Sequence, residues 1–229
     1  YGQCEPVISE CLFSNNVSPS GGGGFYLHSG TNGVLTSPVI TNCTFTNNTT
    51  FSGGGGFYGS YLCAAVIQGC TFTGHSAVIG GAVVPRDSTL TNCIFIGNTA
   101  DYGGAIGKTE GSNTVSSCVL KGNVAHIEGG GIHNALGATT AIENTTICSN
   151  TPNQITGDYT DNGGNTIEDE CPAECAPDIN GDGTVSVSDL LMLIGAWGPC
   201  GGCEEDIDDS SEVNVSDLLT VIAAWGDCE

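Results

Sequence analysis

The chain has 229 residues, with 25 acidic side chains against three basic ones (Arg86, Lys108 and Lys121) and with 13 cysteines. Phosphate recognition needs Lys and Arg, so this balance argues against nucleic acid and against anionic membrane surfaces as partners. No apolar run approaches the roughly twenty residues of a membrane span, while abundant cysteine with little lysine predicts a secreted, oxidising setting, outside the cell or at its surface.

The odd cysteine count predicts a thiol left free or paired between chains. No initiator Met is present and the first residues fall inside a repeat, so the chain reads as the processed part of a longer exported precursor. Residues 1–170 repeat on one motif: VISECLFSNN, VITNCTFTNN, VIQGCTFTGH, TLTNCIFIGN, TVSSCVLKGN and AIENTTICSN. Each segment carries an apolar residue (Ile8, Ile40, Ile67, Leu90, Val115, Ile142). Then comes Cys11, Cys43, Cys70, Cys93, Cys118 or, in the sixth, Thr145, followed by Phe or an aliphatic. Glycine pairs follow, as GGFY twice, GGAV, GGAI, GGIH and a degenerate GGNT at 163.

The Cys-to-Cys intervals of 32, 27, 23 and 25 residues suit one turn of a parallel β-helix. Cys and the residue two later point the same way, into a core. The apolar residue three before Cys points outward unless a bend intervenes, and the Thr-Asn or Gly-containing pair between them permits one. The prediction is a mainly β chain: a right-handed parallel β-helix of about six coils, roughly 29 Å long at about 4.8 Å per coil, with ladders of Cys, Phe and Asn. The ladder cysteines are read as buried small hydrophobes rather than disulfides.

Acids in this region (Glu5, Glu10, Asp87, Asp101, Glu110, Glu128, Glu143) do not recur in register, and His28, His75, His126 and His133 lack metal-ligand spacing, so no catalytic residue is assigned. His75 stands where other coils have Asn and reads as a hydrogen-bonding substitute. Asn16, Asn42, Asn47, Asn48, Asn144 and Asn214 match N-x-Ser/Thr and are candidate glycan acceptors, though several coincide with turn positions. The FxxN and GG[AI] motifs resemble the repeats of polymorphic outer-membrane proteins and related bacterial β-helix surface proteins, over residues 5 to 165. That scaffold also hosts pectinolytic enzymes, adhesins and fibre proteins, so the resemblance implies fold more than function.

Residues 171–229 form a second domain built on a duplication. Residues 175–200 read CAPDINGDGTVSVSDLLMLIGAWGPC and residues 203–228 read CEEDIDDSSEVNVSDLLTVIAAWGDC, offset by 28 throughout. From Cys171 onward there are 13 acids and no base. A twelve-residue calcium loop supplies oxygens from positions 1, 3, 5, 7, 9 and 12, with glycine at 6. From Asp178 these are Asp178, Asn180, Asp182, Thr184, Ser186 and Asp189, with Gly183 at the turn. From Asp206 they are Asp206, Asp208, Ser210, Glu212, Asn214 and Asp217, with Ser211 in place of the glycine. Fewer anionic ligands and a hindered turn predict a weaker second site, so two calcium ions of unequal affinity are expected. Each loop runs into an apolar stripe (Leu190, Leu191, Ile194, Trp197; then Leu218, Leu219, Ile222, Trp225) read as one helical face. Two such short helices need each other, packing antiparallel about a pseudo-two-fold. That arrangement favours the disulfides Cys200–Cys203 and Cys175–Cys228. The rival pairing, Cys175–Cys200 with Cys203–Cys228, requires each incoming strand to run back along its own helix.

This module resembles a dockerin, in the variant with AWG endings and flanking cysteines found in planctomycete-type secreted proteins. The resemblance implies docking onto a cohesin-like domain. It also implies recognition through positions 10 and 11 of each loop, here Val187 and Ser188, then Val215 and Ser216. The combined expectation is a non-catalytic extracellular surface, matrix or fibre component attached through a calcium-dependent tail. The partner would be a cohesin-like domain or neighbouring copies of the chain, with carbohydrate as a further candidate ligand. Two alternatives stand beside it: a docking module carrying an adhesin or carbohydrate-binding β-helix, and a polysaccharide-degrading β-helix enzyme.

Overall fold

The computed structural model describes residues 5–28, 35–171, 177–179, 184–201, 203–208 and 210–227. The chain divides into two compact units, 1–171 and 172–229.

The first unit is a right-handed parallel β-helix. Its strands stack into two seven-stranded sheets and one six-stranded sheet, in which every neighbour is the corresponding strand of the adjacent coil. Among the described residues the stack therefore has seven coils, one more than the motif predicts. Tyr159–Asp161 and Thr166–Glu168 form the additional coil around the degenerate GGNT.

Left-handed corners shape each coil. Between the first and second strands, Glu10, Asn42, Gly69, Asn92, Ser117 and Asn144 all have φ between 47° and 61°. That conformation is open to Gly and comparatively cheap for Asn. The bend lies immediately before Cys, so the residue three earlier turns inward rather than out: Ile40, Ile67, Leu90, Val115 and Ile142 are all fully buried. In the third corner the backbone itself is stacked, since a Cβ on Gly81 would collide with the Gly104 carbonyl and one on Gly104 with the Gly130 carbonyl.

Register is strict. Phe13, Phe45, Phe72 and Phe95 pair successively, and their rings stack at 4.7, 4.7 and 5.0 Å within 7° of parallel. Phe72 is 0% exposed. We expect Phe72→Ala to lower the unfolding free energy by about 4 kcal/mol, read as a shift in urea midpoint, because neighbours above and below cannot close the gap.

The cysteine column consists of free thiols, Cys43, Cys70, Cys93 and Cys118 buried and Cys11 exposed. The amide of each of Cys11, Cys43 and Cys93 points at the sulfur of the next coil at 3.4–3.5 Å. The sulfur of each of Cys43, Cys70, Cys93 and Cys118 donates to the carbonyl two residues back at 3.2–3.3 Å. Thr145 continues the column by the same two bonds, accepting from the Cys118 amide and donating to the Glu143 carbonyl.

In the second unit, α1 (Val187–Gly195) and α2 (Val215–Ala223) each open with a capping box, Ser186 with Asp189 and Asn214 with Asp217. Thr184–Val185 pairs antiparallel with Gly226–Asp227, and Gly198–Pro199 pairs with Glu212–Val213. Each pairing maps onto the other under the 28-residue offset, so the end of each helix meets the loop of the other repeat. The small core is Ile179, Val185, Leu193, Val213 and Val221.

Candidate metal centre and docking face

The second loop gathers carboxylates. One oxygen from each of Asp206, Asp208 and Asp217 lies within 4.8 Å of the others. Asp206 is 6% exposed and Asp217 is 0% exposed. Backbone amides aim both groups: Asp206 accepts from Ser210 at 2.9 Å and Ser211 at 2.7 Å. Asp217 accepts from Ile207 at 2.9 Å, Asp208 at 3.3 Å and Asn214 at 2.9 Å. Hydrogen bonds from Ser210 and Ser216 hold Asp208 below the ordinary carboxylate range. Residues 172–229 contain no Lys, Arg or His. Buried carboxylates without a basic neighbour in their own unit are costly unless a cation joins them, and an all-oxygen set suits a hard divalent one.

Among the other expected ligands, Asn214 has its side chain committed. Its Oδ1 accepts from the Ser216 amide at 2.7 Å and its Nδ2 donates to the Glu212 carbonyl at 2.9 Å. Ser210 Oγ also donates to that carbonyl at 3.0 Å. In the first loop, Asp189 is 0% exposed and receives the Ser186 amide at 2.9 Å. Asp178, Thr184 and Ser186 are half-buried, while Asn180, Asp182 and Gly183 lie outside the described residues. Cys200 and Cys203 form a disulfide; Cys175 and Cys228 lie outside the described residues.

Ser211, at the position that Gly183 holds in the first loop's sequence, has a left-handed φ of 71°. Ser211→Gly removes a strain of about 1–2 kcal/mol. We expect it to tighten calcium binding at this loop roughly tenfold, measured by calorimetric titration.

The apolar stripes divide in a way the spacing does not reveal. Leu190 and Leu218 pack on the small core with Leu193 and Val221. Leu191, Ile194 and Trp197, and likewise Leu219, Ile222 and Trp225, are exposed instead of joining them. With Val187 and Val215 they form two matching outer faces, 48–63% exposed. Ser188 and Ser216 border these faces and are exposed as well. Leu190 and Leu191 are one residue apart, about 100° around the helix, so only one of them reaches the core.

In the β-helix the expected acceptor Asn48 is corrected. It is 0% exposed, its Nδ2 donates to the Phe13 carbonyl at 2.8 Å and its Oδ1 accepts from Asn16, leaving no room for a glycan. Asn42, Asn47 and Asn144 are exposed corner residues, Asn16 is exposed in the first coil, and Asn214 is the half-buried cap of α2. Imidazole–carboxylate contacts join His126 to Asp101 at 3.0 Å and His133 to Glu128 at 3.6 Å. The sequence reading overlooks Lys108, which is 0% exposed and donates to the Thr139 carbonyl at 2.8 Å. Burial pulls its ammonium down to about 8. It also overlooks the Cys148–Cys171 disulfide, because Cys148 stands outside the cysteine column.

A family model described as "Right handed beta helix region" matches residues 1–147. No curated protein and no solved structure matches the chain.

Proposed function

The chain belongs to the right-handed β-helix family, and from that premise we propose that its coil stack is a non-catalytic extracellular rod attached through a calcium-dependent tail. The observation that carries this reading is the tail's duplicated apolar helix face, set beside loops whose buried carboxylates have no basic residue in their unit. Calcium, when bound, supplies the missing positive charge. Asp206, Asp208 and Asp217 are the residues that would hold it in the second loop, and Asp178 and Asp189 contribute in the first. The capping boxes then fix α1 and α2 so that Val187, Leu191, Ile194 and Trp197, and their counterparts 28 residues on, present the same face twice. Such a face suits a cohesin-like partner or a neighbouring tail.

The disulfides Cys148–Cys171 and Cys200–Cys203 support an oxidising location. No helix among the described residues is long and apolar enough to cross a membrane.

Particle size and shape in millimolar calcium and then in excess chelator test the reading. Long particles that dissolve on chelation identify the tail as the joint between copies. A monomer in both conditions, with helical structure lost only in chelator, directs docking to a separate partner. Helices indifferent to chelator would end the calcium-dependent reading.

A further inference from the structure

The Cys200–Cys203 disulfide encloses only Gly201 and Gly202 and lies where the first repeat of the tail passes into the second. Both of its cysteines are half-buried, whereas Cys148 of the Cys148–Cys171 disulfide is 1% exposed. Exchange requires access to a sulfur, so a thiol reductant meets the tail bridge first. The Cys203 amide points at the Cys200 sulfur at 3.1 Å. Attack on Cys203 expels a Cys200 thiolate that a backbone donor already faces.

The same bridge holds the second loop from both sides. The Cys200 amide donates to the Ser211 carbonyl at 3.0 Å, and the Asp206 amide donates to the Cys203 carbonyl at 3.2 Å. The Ser211 amide closes the circuit, donating to the Asp206 carboxylate at 2.7 Å. Asp206 belongs to the carboxylate cluster with Asp208 and Asp217, and Ser211 is the left-handed turn of the loop. Cys200 and Cys203 also pack against the small core. Opening the disulfide loosens a calcium ligand and the loop's turn together.

We propose that Cys200–Cys203 is a redox site that sets the calcium affinity of the second loop, with an uncharged dithiol as its reductant. This rests on the calcium reading of that loop. One thiolate of the dithiol bonds to the Cys203 sulfur as the Cys200–Cys203 bond breaks, and Cys200 leaves with the electron pair and takes up a proton. The second thiol then attacks the mixed disulfide and releases Cys203. Both cysteines are reduced, and the dithiol is oxidised to its cyclic disulfide. Glu204 and Glu205 follow the bridge directly, so an anionic thiol is repelled and an uncharged one is preferred. With the bridge open, closing the loop on calcium must also order residues 200–203, which weakens binding about tenfold. A chain kept reduced carries an incomplete tail, and oxidation completes it.

The test uses the whole chain. In calorimetric titration with calcium, the double variant Cys200→Ser and Cys203→Ser is expected to bind at the second site about tenfold more weakly than the parent. The first site should be unchanged and helicity retained in saturating calcium. In graded dithiothreitol, alkylation and peptide mapping of the parent should reveal Cys200 and Cys203 before Cys148 and Cys171, and reoxidation should restore the second site. Equal second-site affinities in parent and variant overturn the proposal, as does a variant in which both sites weaken alike. So does a Cys200–Cys203 bridge that outlasts Cys148–Cys171. A parent with no second calcium site is a separate failure: it ends the calcium reading of this loop and takes the redox site with it.

Discussion

Acidification from pH 7 to pH 4 is expected to cost the β-helix about 3 kcal/mol through one side chain, and His75→Asn should remove that loss. His75 occupies the Asn column. Its Nδ1 accepts from the Asn48 amide at 3.0 Å, and its own amide donates to Asn98 Oδ1 at 3.0 Å. The ring is 1% exposed, rests edge-on to Phe72 at 6.2 Å, and its buried Nε2 has no hydrogen-bond partner among the described residues. Burial lowers its pKa from 6.5 to about 4. Between those values the unfolded chain binds the proton and the folded chain does not. Stability is therefore full above pH 6.5 and drains away as the pH falls toward 4. Every tenfold loss of proton affinity on folding corresponds to about 1.4 kcal/mol. Protonation would also turn Nδ1 from acceptor to donor against an amide. Asparagine fits because the neighbouring coils already stack it, Asn98 on Asn123 at 2.9 Å. Urea midpoints of parent and variant at both pH values decide the matter, since carboxylate effects are common to both. Equal acid losses in the two proteins would refute it.

Calcium removal should melt α1 and α2 while the coil stack unfolds at its former midpoint. Helices of nine residues do not stand alone in water, and the first-turn carboxylates Asp189 and Asp217 are fully buried. Calcium at a hundredfold excess over its dissociation constant contributes about 2.7 kcal/mol per site. Asp217→Ala goes further, because it also strips an acceptor from the amides of Ile207, Asp208 and Asn214. It should abolish the weaker calorimetric site and leave the stronger. Two intact sites in that variant would remove Asp217 from the ligand set.

The repeated units were the legible part. Column residues such as Ile40, Cys43 and Phe45 recur in sequence because each faces its own copy in the next coil, and Asn42 marks its corner because few residues accept positive φ. The seventh coil hides because Asp161 stands where the column has Ile142 and Asn165 where it has Thr145, although Ile167 keeps the aliphatic position under Ile147. Lys108 pairs in register with Asn134, so no charged column announces its burial. In the tail, the carboxylate spacing brings Asp206, Asp208 and Asp217 together. Three-and-four spacing alone could not separate Leu190 from Leu191, since apolar residues cover two sides of each helix and only packing distinguishes them.

The free thiols of the β-helix give the molecule an internal clock. Cys11 is open to reagent, whereas Cys43, Cys63, Cys70, Cys93 and Cys118 are buried, so alkylating agents cannot reach their sulfurs while the coils remain stacked. Each further label then records the parting of a particular pair of coils, and peptide mapping of the labelled sites would date those openings individually. Fraying from the first coil would mark Cys43 before Cys118; a rod that opens all at once would mark them together.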